Sequence, residues 1–442
     1  MSKKIRFTQI LRERPNLLVF GTNSIWLLGD KLIKLFVAVF VSAWVARYLG
    51  PEQFGILAYA TTFVAMFQAF SLLGLDNIVV RDVASNPDKA SNILGTALRL
   101  RLGGSAIAYS ALLLTLLLTT KNEPTLLAVT LTIGLCLFFQ VTDVIDLWFQ
   151  ANSQNRRTVI AKTSSYLLIA SLKIGLILSG ATLFYFAAAQ VLETAFSAIA
   201  LCVSYLFFKT KSNWTWDWDI AKRILQQSWP ILISGLSILI YMRISVFYLQ
   251  SFSGTAAVGV YAAGTSLSEV WYFIPTMLAA SAAPIIARKR LDDKAGYTLT
   301  FKKLFALMWY FSLFIASINV VLSSFLINLL YGDDYQRSSA VLATHAFSLI
   351  AVSLGVFQSI WIVNEGRTRL SLYQALTGAA VAVILGFFLI PQYGVIGAAA
   401  TTVCAQFAQA FLANAFFAPE LFRLQITSLW FFIDRSKHNA NA

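Results

Sequence analysis

Between two apolar runs, 17–48 and 51–73, the chain reads Tyr48-Leu49-Gly50-Pro51-Glu52-Gln53-Phe54-Gly55-Ile56-Leu57-Ala58. A hydrocarbon core about 30 Å thick is crossed by roughly 20 helical residues, so each run is long enough to span it. The short stretch between them then serves as a tight turn with a close helix start. The first run is also too long for the apolar segment of a cleavable signal, and it is expected to stay as span one.

Reading outward, twelve such runs follow one another, the last at 393–417. They are continuous rather than alternating, which implies helices and not barrel strands. Composition agrees: of 442 residues 58% are hydrophobic and 12% charged, about half the charged share of an ordinary soluble chain. The expected fold is an all-α membrane protein of about twelve transmembrane helices. Cys136, Cys202 and Cys404 fall inside apolar runs and read as small buried hydrophobes.

The basic residues orient the bundle. With the N-terminus cytoplasmic, 27 of the 34 Lys and Arg lie in cytoplasmic segments and only Arg47, Lys121 and Arg337 on the other face. That asymmetry is a positive-inside signal, placing both termini in the cytoplasm. It also accounts for the net charge of +14 without a nucleic-acid partner. Outer connections such as Ser179–Thr182 and Pro391–Gln392 are almost bare turns. The connection near 209–228 contains Trp214, Trp216 and Trp218 and then the basic amphipathic stretch 219–227, expected as an interfacial linker helix. The chain thus divides into a basic N-terminus (1–16), a first lobe (17–208), a cytoplasmic linker (209–228), a second lobe (229–417) and a cytoplasmic tail with an interfacial segment (418–442).

The two halves carry an internal repeat. Phe252-Ser253-Gly254-Thr255-Ala256-Ala257-Val258-Gly259-Val260-Tyr261-Ala262 repeats the Gly50/Gly55 spacing, two glycines five apart at an offset of 204. Both halves start from the same side, so the two six-helix lobes are parallel repeats.

Several stretches together resemble polysaccharide flippases of the Wzx type, in the multidrug/oligosaccharidyl-lipid/polysaccharide exporter superfamily. They are Arg47 to Gly55, Leu73-Gly74-Leu75-Asp76 with Arg81, and Asp143-Val144-Ile145-Asp146 with Phe149-Gln150. Tyr241-Met242-Arg243, Gly259-Val260-Tyr261, Ser268 to Pro275 and Leu330-Tyr331-Gly332 complete the series, in order over about 17–417. The resemblance implies two lobes around a central cavity in the bacterial inner membrane. It further implies transport of undecaprenyl-pyrophosphate-linked oligosaccharide units for surface polysaccharide such as O-antigen. Beside this lipid-linked substrate and the bilayer lipids, it implies partners among the polymerase and chain-length machinery. In one departure Ile244 is followed by Ser245, where the family often has Ile-Asp, and a carboxylate for cation coupling is missing there.

Charges inside spans cost a few kcal/mol each and call for a reason. Lys31 and Lys34 in span one and Arg243 in span seven are the expected substrate-binding cations for a pyrophosphate. Asp30 is placed to pair with Lys34 four residues on. Glu269 reads as a coupling site or as an ion-pair partner, and Lys173 with Glu193 as an internal ion pair. Asp76, Arg81, Asp143 and Asp146, near the cytoplasmic ends, read as a gate or as ion pairs with residues such as Arg99, Arg101 or Arg156. His345 reads as an interior histidine. Pro230, Pro275 and Pro284, with Gly235 and Gly264 nearby, mark candidate hinges. There is no phosphate-binding Gly-x-x-x-x-Gly-Lys-[Ser/Thr] run, no metal cluster and no nucleophile–base set, so neither an enzyme nor a cofactor is expected. Two alternatives remain: a drug/cation antiporter of the same superfamily, and a membrane-embedded sugar polymerase or ligase, against which the bare outer turns argue.

Overall fold

The computed structural model describes residues 15–119, 123–207 and 213–431, with the side chains of 15–28, 30–32, 36 and 119 outside the description. Among the described residues every regular element is helical. In chain order these include α1 (Pro15–Leu72), α2 (Asp76–Ser85), α3 (Ala90–Thr119), α4 (Pro124–Gly134), α5 (Asp143–Ala151), α6 (Asn155–Leu178) and α7 (Leu183–Leu206). After them come α8 (Trp218–Glu269), α9 (Phe273–Asp292), α10 (Lys294–Leu330), α11 (Ser338–His345), α12 (Ser348–Asn364), α13 (Arg369–Phe407) and α14 (Pro419–Leu429). Nine stretches among the described residues are long and apolar enough to cross a membrane. Three helices are interrupted by a glycine with positive φ: Gly50 in α1, Gly254 in α8 and Gly394 in α13. The outer faces carry large apolar side chains in the open, among them Leu178 and Val321, each about four-fifths exposed. A surface of that kind belongs in lipid.

The chain forms two compact units. Unit 1 comprises 1–42 and 63–232, and unit 2 comprises 43–62 and 233–442.

In unit 1 the core is built on α2, α3 and α5, with Leu75, Val79, Leu94, Val144 and Phe149 all buried. Trp148, Tyr205 and Trp214 continue it as an edge-to-face aromatic chain. The stretch 219–227, expected as an interfacial linker helix, forms the opening of α8 and is packed into this unit. Its apolar face, Ile220, Ala221 and Ile224, is buried, the two isoleucines in the core cluster of the unit. Hydrogen bonds from Thr215 to Asn92 and from the Asp217 amide to Thr96 hold the approach to it.

In unit 2 the repeat finds its physical explanation. Gly50 (φ 72, ψ 169) and Gly254 (φ 79, ψ 179) adopt a conformation essentially confined to glycine. Pro51 follows at the first helical position, where its missing N–H costs nothing. The second glycine of each pair does something different. A Cβ on Gly55 would strike the Thr255 carbonyl, and one on Gly259 would strike the Pro51 carbonyl, so the two helices cross backbone to backbone. Tyr335, in the turn after α10, caps this region by donating to the Ala46 carbonyl at 2.8 Å. Burial, with Tyr331 and Asp334 beside it, holds its phenol above the usual range, so it remains a donor.

Elsewhere in unit 2, Phe301, Phe305, Leu354 and Phe357 form the main core. A buried amide cluster fastens α14 to it. Asn414 donates to Gln358 (2.8 Å) and Gln425 (3.1 Å), Gln374 donates to Asn414 (2.6 Å), and Gln425 donates to the Ala410 carbonyl (3.0 Å). Ala410 sits in a π-helical turn, 408–412, whose wider spacing frees that carbonyl. Gly264 has a packing role, because a Cβ there would strike Val341 and the Ser338 carbonyl on α11.

Candidate functional site

The densest gathering of charge inside the spans lies in unit 1. After α4 the chain makes a 3₁₀ turn, Gln140–Thr142, and re-enters helix at Asp143. Asp143 and Asp146, three apart on α5, present their carboxylates to one point. That point is the Lys162 ammonium on α6, 2.9 Å from each. Three turns of helix further along α6, Lys173 lies 3.6 Å from Glu193 on α7. The Tyr166 hydroxyl donates to the Lys34 carbonyl at 3.3 Å and so ties α6 to span one. Lys34, Asp143, Lys162, Tyr166 and Glu193 all line a cavity of about 330 Å³. Glu193 is near the middle of the Leu183–Leu206 span, where an uncompensated charge would be costly. Each carboxylate in this group is met by an ammonium, with Asp143 and Asp146 sharing Lys162 and Glu193 facing Lys173.

Asp143 and Asp146 therefore converge on Lys162. Lys162 reads in the sequence as one more cytoplasmic cation; the signal that singles it out is the Asp143/Asp146 spacing, which demands a cation within reach. Nearer the end of the unit, Asp76 pairs with Arg101, a fully buried guanidinium. Arg81 turns instead to Asp82 (2.7 Å) and Gln227 (2.7 Å). Asp82 also receives Arg223 at 3.0 Å, which makes it the hub of a cluster that joins α2 to the start of α8. Sequence reading passed over Asp82 because only the fold brings Arg223 to it.

In unit 2, Arg243 and Glu269 form an ion pair at 3.1 Å, both on α8 on either side of Gly254. Polar side chains surround them. Tyr261 and Ser245 both bond to Thr402 (2.9 and 3.0 Å), and Tyr272 bonds to Ser348 (2.5 Å). His345 is wholly buried, with Nδ1 2.6 Å from the Ser268 hydroxyl, so it is a packed interior histidine. A second cavity, about 690 Å³, opens beside the Gly254 and Gly394 turns, with Asp334, Arg337 and Tyr393 on its rim. The side chains of Asp30 and Lys31 lie outside the described residues. Among the described residues no group of three or more metal-ligating side chains converges.

Comparison with known proteins places these features in context. Residues 44–340 match the family described as polysaccharide biosynthesis protein. The capsular polysaccharide biosynthesis protein CapF of Staphylococcus aureus is 30% identical over 128 residues, 28% of this chain. That match spans about a third (32%) of the relative's own length. Among solved structures, an inward-facing multidrug resistance MATE family transporter of the MOP superfamily aligns with a TM-score of 0.68 at 15% identity, covering 92% of this chain and 99% of that one. The lipid II flippase MurJ, in an inward closed conformation, aligns with a TM-score of 0.65 at 14% identity, covering 92% and 90%. At such identities the likeness is one of fold: an all-α transporter fold shared over nearly the full chain.

Proposed function

Since the chain belongs to the polysaccharide biosynthesis protein family and is a multi-pass membrane protein with a transporter fold, we propose that it flips undecaprenyl-pyrophosphate-linked oligosaccharide units across the inner membrane for surface polysaccharide assembly. The observation that carries this reading is the charged, Lys34-lined cavity within the spans of unit 1. A lipid-facing exterior needs no such cavity, whereas a polar headgroup crossing the bilayer does. Counting each glycine-interrupted stretch as two crossings brings the proposed number of spans to twelve. The proposed orientation keeps both termini cytoplasmic on the 27-to-3 distribution of Lys and Arg. The two-lobe division at 209–228, and work alongside a polymerase and chain-length machinery, belong to the same proposal.

The proposed mechanism is alternating access. Lys34 in unit 1 and Arg243 in unit 2 are each proposed as ligands for phosphate oxygens, Lys34 as a point charge and Arg243 through its fork. Arg243 is held at rest by Glu269; a phosphate that takes the guanidinium releases that carboxylate, and a coupled proton or sodium ion would enter there. Carrying about two negative charges outward against 100 mV, negative inside, gains about 4.6 kcal/mol, so the membrane potential alone supplies a substantial drive. Asp82 and Asp76 with their arginines are proposed to latch the cytoplasmic end of unit 1.

Asp143 and Glu193 also line the unit 1 cavity, which is the feature that a drug/cation antiporter would use. Both are paired with lysine, and the flippase reading is preferred for that reason. The two readings separate in proteoliposomes with Lys34→Gln and Arg243→Gln beside the parent. A flippase loses translocation of a fluorescent polyprenyl-pyrophosphoryl oligosaccharide about tenfold or more in each variant. Full translocation in both variants would remove these two residues from the substrate path.

A further inference from the structure

The end of unit 2 that the distribution of Lys and Arg assigns to the cytoplasm is built by three neighbouring helices, α9, α10 and α14. Lys289 on α9 donates to the Thr300 hydroxyl on α10 at 2.9 Å, and Tyr310 on α10 donates to the Leu429 carbonyl on α14 at 2.8 Å. Ile286, Phe301, Phe305, Leu421 and Leu424 are buried in one core cluster, so the three helices meet at one level along α10. That level is rich in positive charge, with six Lys and Arg between 288 and 303 alone. Most of its carboxylates are engaged. Glu365 takes Arg290 and the Tyr297 hydroxyl, Glu420 takes Arg367, and Asp293 caps α10 by accepting from the Gly296 amide. Arg288, Lys303 and Arg423 are exposed, and among the described residues none of them is paired with a carboxylate, Asp292 one turn beyond Arg288 included. The arginines at the matching end of unit 1 behave differently: Arg81 and Arg223 both turn to Asp82.

Each of these three cations belongs to a face that is otherwise suited to lipid. On α10 the spacing of Leu299, Lys303, Leu307, Phe314 and Val321 puts them on one side of the helix, and the four apolar members are all exposed. On α9 the exposed Leu278 and Ile285 lead to Arg288 in the same way, and on α14 Arg423 shares the exposed face with Trp430. The depth is that of headgroups. Lys303 lies about 40 Å along α10 from the far end at Leu330, close to the thickness of a bilayer with its headgroups, about 40–45 Å. Tyr310, with Trp430 next to its partner Leu429, stands about two turns nearer the apolar run, at the level where aromatic side chains mark the interface. The Lys303 stem can then lie along Leu299 and Leu307 while its ammonium reaches the phosphates.

We propose that Arg288, Lys303 and Arg423 form a binding site for an anionic phospholipid, with its phosphate on the cations and an acyl chain along Leu307 and Phe314 of α10. This lipid is separate from the cargo, and the site stands whether or not the protein moves a lipid-linked glycan. Only its assignment to the cytoplasmic leaflet rests on the proposed orientation of the chain. A zwitterionic lipid presents the same phosphate beside its own ammonium, so net charge is what the three unpaired cations distinguish. Each Lys or Arg near an anionic lipid strengthens binding about fivefold, and three of them about a hundredfold. A lipid seated there bridges α9, α10 and α14 at the ends where their exposed faces meet water.

The test titrates the purified full chain, in neutral detergent, with phosphatidylglycerol that carries a fluorescent label on its acyl chain. Energy transfer from the protein's tryptophans reports binding. Unlabelled phosphatidylglycerol is expected to displace the label, and phosphatidylcholine to do so about tenfold less well or worse. Arg288→Gln, Lys303→Gln and Arg423→Gln should each raise the half-saturating concentration about fivefold, and the three together about a hundredfold. The control combines Lys89→Gln, Arg99→Gln and Lys222→Gln, exposed cations of unit 1. It lowers the net charge equally and should shift half-saturation by less than about twofold. Lys303→Arg keeps the charge and should bind as the parent does, and monodisperse elution checks that each variant is folded. Equal displacement by phosphatidylcholine, equal weakening in the control, or undiminished binding in the triple variant overturns the proposal. Displacement by polyglutamate but not by unlabelled phosphatidylglycerol would give the face to an acidic protein segment and overturn it as well.

Discussion

Replacing Gly55 by alanine tests whether the repeated glycines exist for a helix crossing. An ideal Cβ at this position would lie 2.7 Å from the Thr255 carbonyl carbon and 2.9 Å from the Gly259 nitrogen, where ordinary contact starts at 3.4 Å. Both obstacles are backbone, so no side chain can swing aside and the helices must part. Overpacking of this kind costs about 1–3 kcal/mol. Alanine in place of glycine in a helix returns about 1 kcal/mol, which leaves a net loss of up to about 2 kcal/mol. The control is Gly103→Ala in α3, where a Cβ meets nothing within 4 Å, so only the helical gain remains. In purified protein heated in detergent and followed by monodisperse elution, Gly55→Ala should lower the apparent midpoint by about 2–6 °C, while Gly103→Ala should hold or raise it. Gly259→Ala should behave like Gly55→Ala. The double variant should lose less than the sum, because one separation of the helices accommodates both methyls. Gly55→Ala as stable as Gly103→Ala would refute the crossing.

Further outcomes follow from the same geometry. Gly254→Ala forces an L side chain into a glycine-only region and should cost about 1–3 kcal/mol, read as a lowered melting midpoint, with Gly235→Ala, open on all sides, unaffected. Lys162→Gln strands Asp143 and Asp146 together and should cost about 1–3 kcal/mol; Asp146→Asn in the same chain should restore part of the midpoint, which an unrelated packing defect would not. Asn414→Leu removes one partner from each of the Gln358, Gln374 and Gln425 amides and should loosen α14, seen as faster proteolysis within Pro419–Leu429 at a concentration that spares the parent. Arg223→Ala removes one of the two arginines on Asp82 and should raise hydrogen exchange at the start of α8 several-fold.

The fold was legible because lipid imposes a coarse code. Run length, the scarcity of charge and the one-sided distribution of Lys and Arg each report a solvent and need no knowledge of contacts. The Gly50/Gly55 and Gly254/Gly259 pairs were legible for a related reason: a backbone constraint repeated in both halves leaves the same mark twice. Partnerships across the fold left no such mark. Nothing local ties Asp82 to Arg223, or Asn414 to Gln358 and Gln425, since these meetings arise only after the helices pack. Lys162 hid among the cytoplasmic cations because its distance along the chain from a span end says little about which way its helix faces. The protein partner of the linker helix was hidden on similar grounds. A basic amphipathic stretch suits a membrane interface and a protein groove equally, and Ile220 and Ile224 found the groove.

The central claim is that this chain moves a lipid-linked sugar diphosphate across a bilayer. Its most direct test is reconstitution of the purified parent into liposomes carrying a fluorescent undecaprenyl-pyrophosphoryl oligosaccharide, with quenching from one side by a membrane-impermeant reagent. The account predicts transfer well above that of protein-free liposomes, faster when the potential is set to drive anions toward the receiving leaflet. A rate equal to that of empty liposomes, in vesicles that take up a drug cation under a proton gradient, would contradict it.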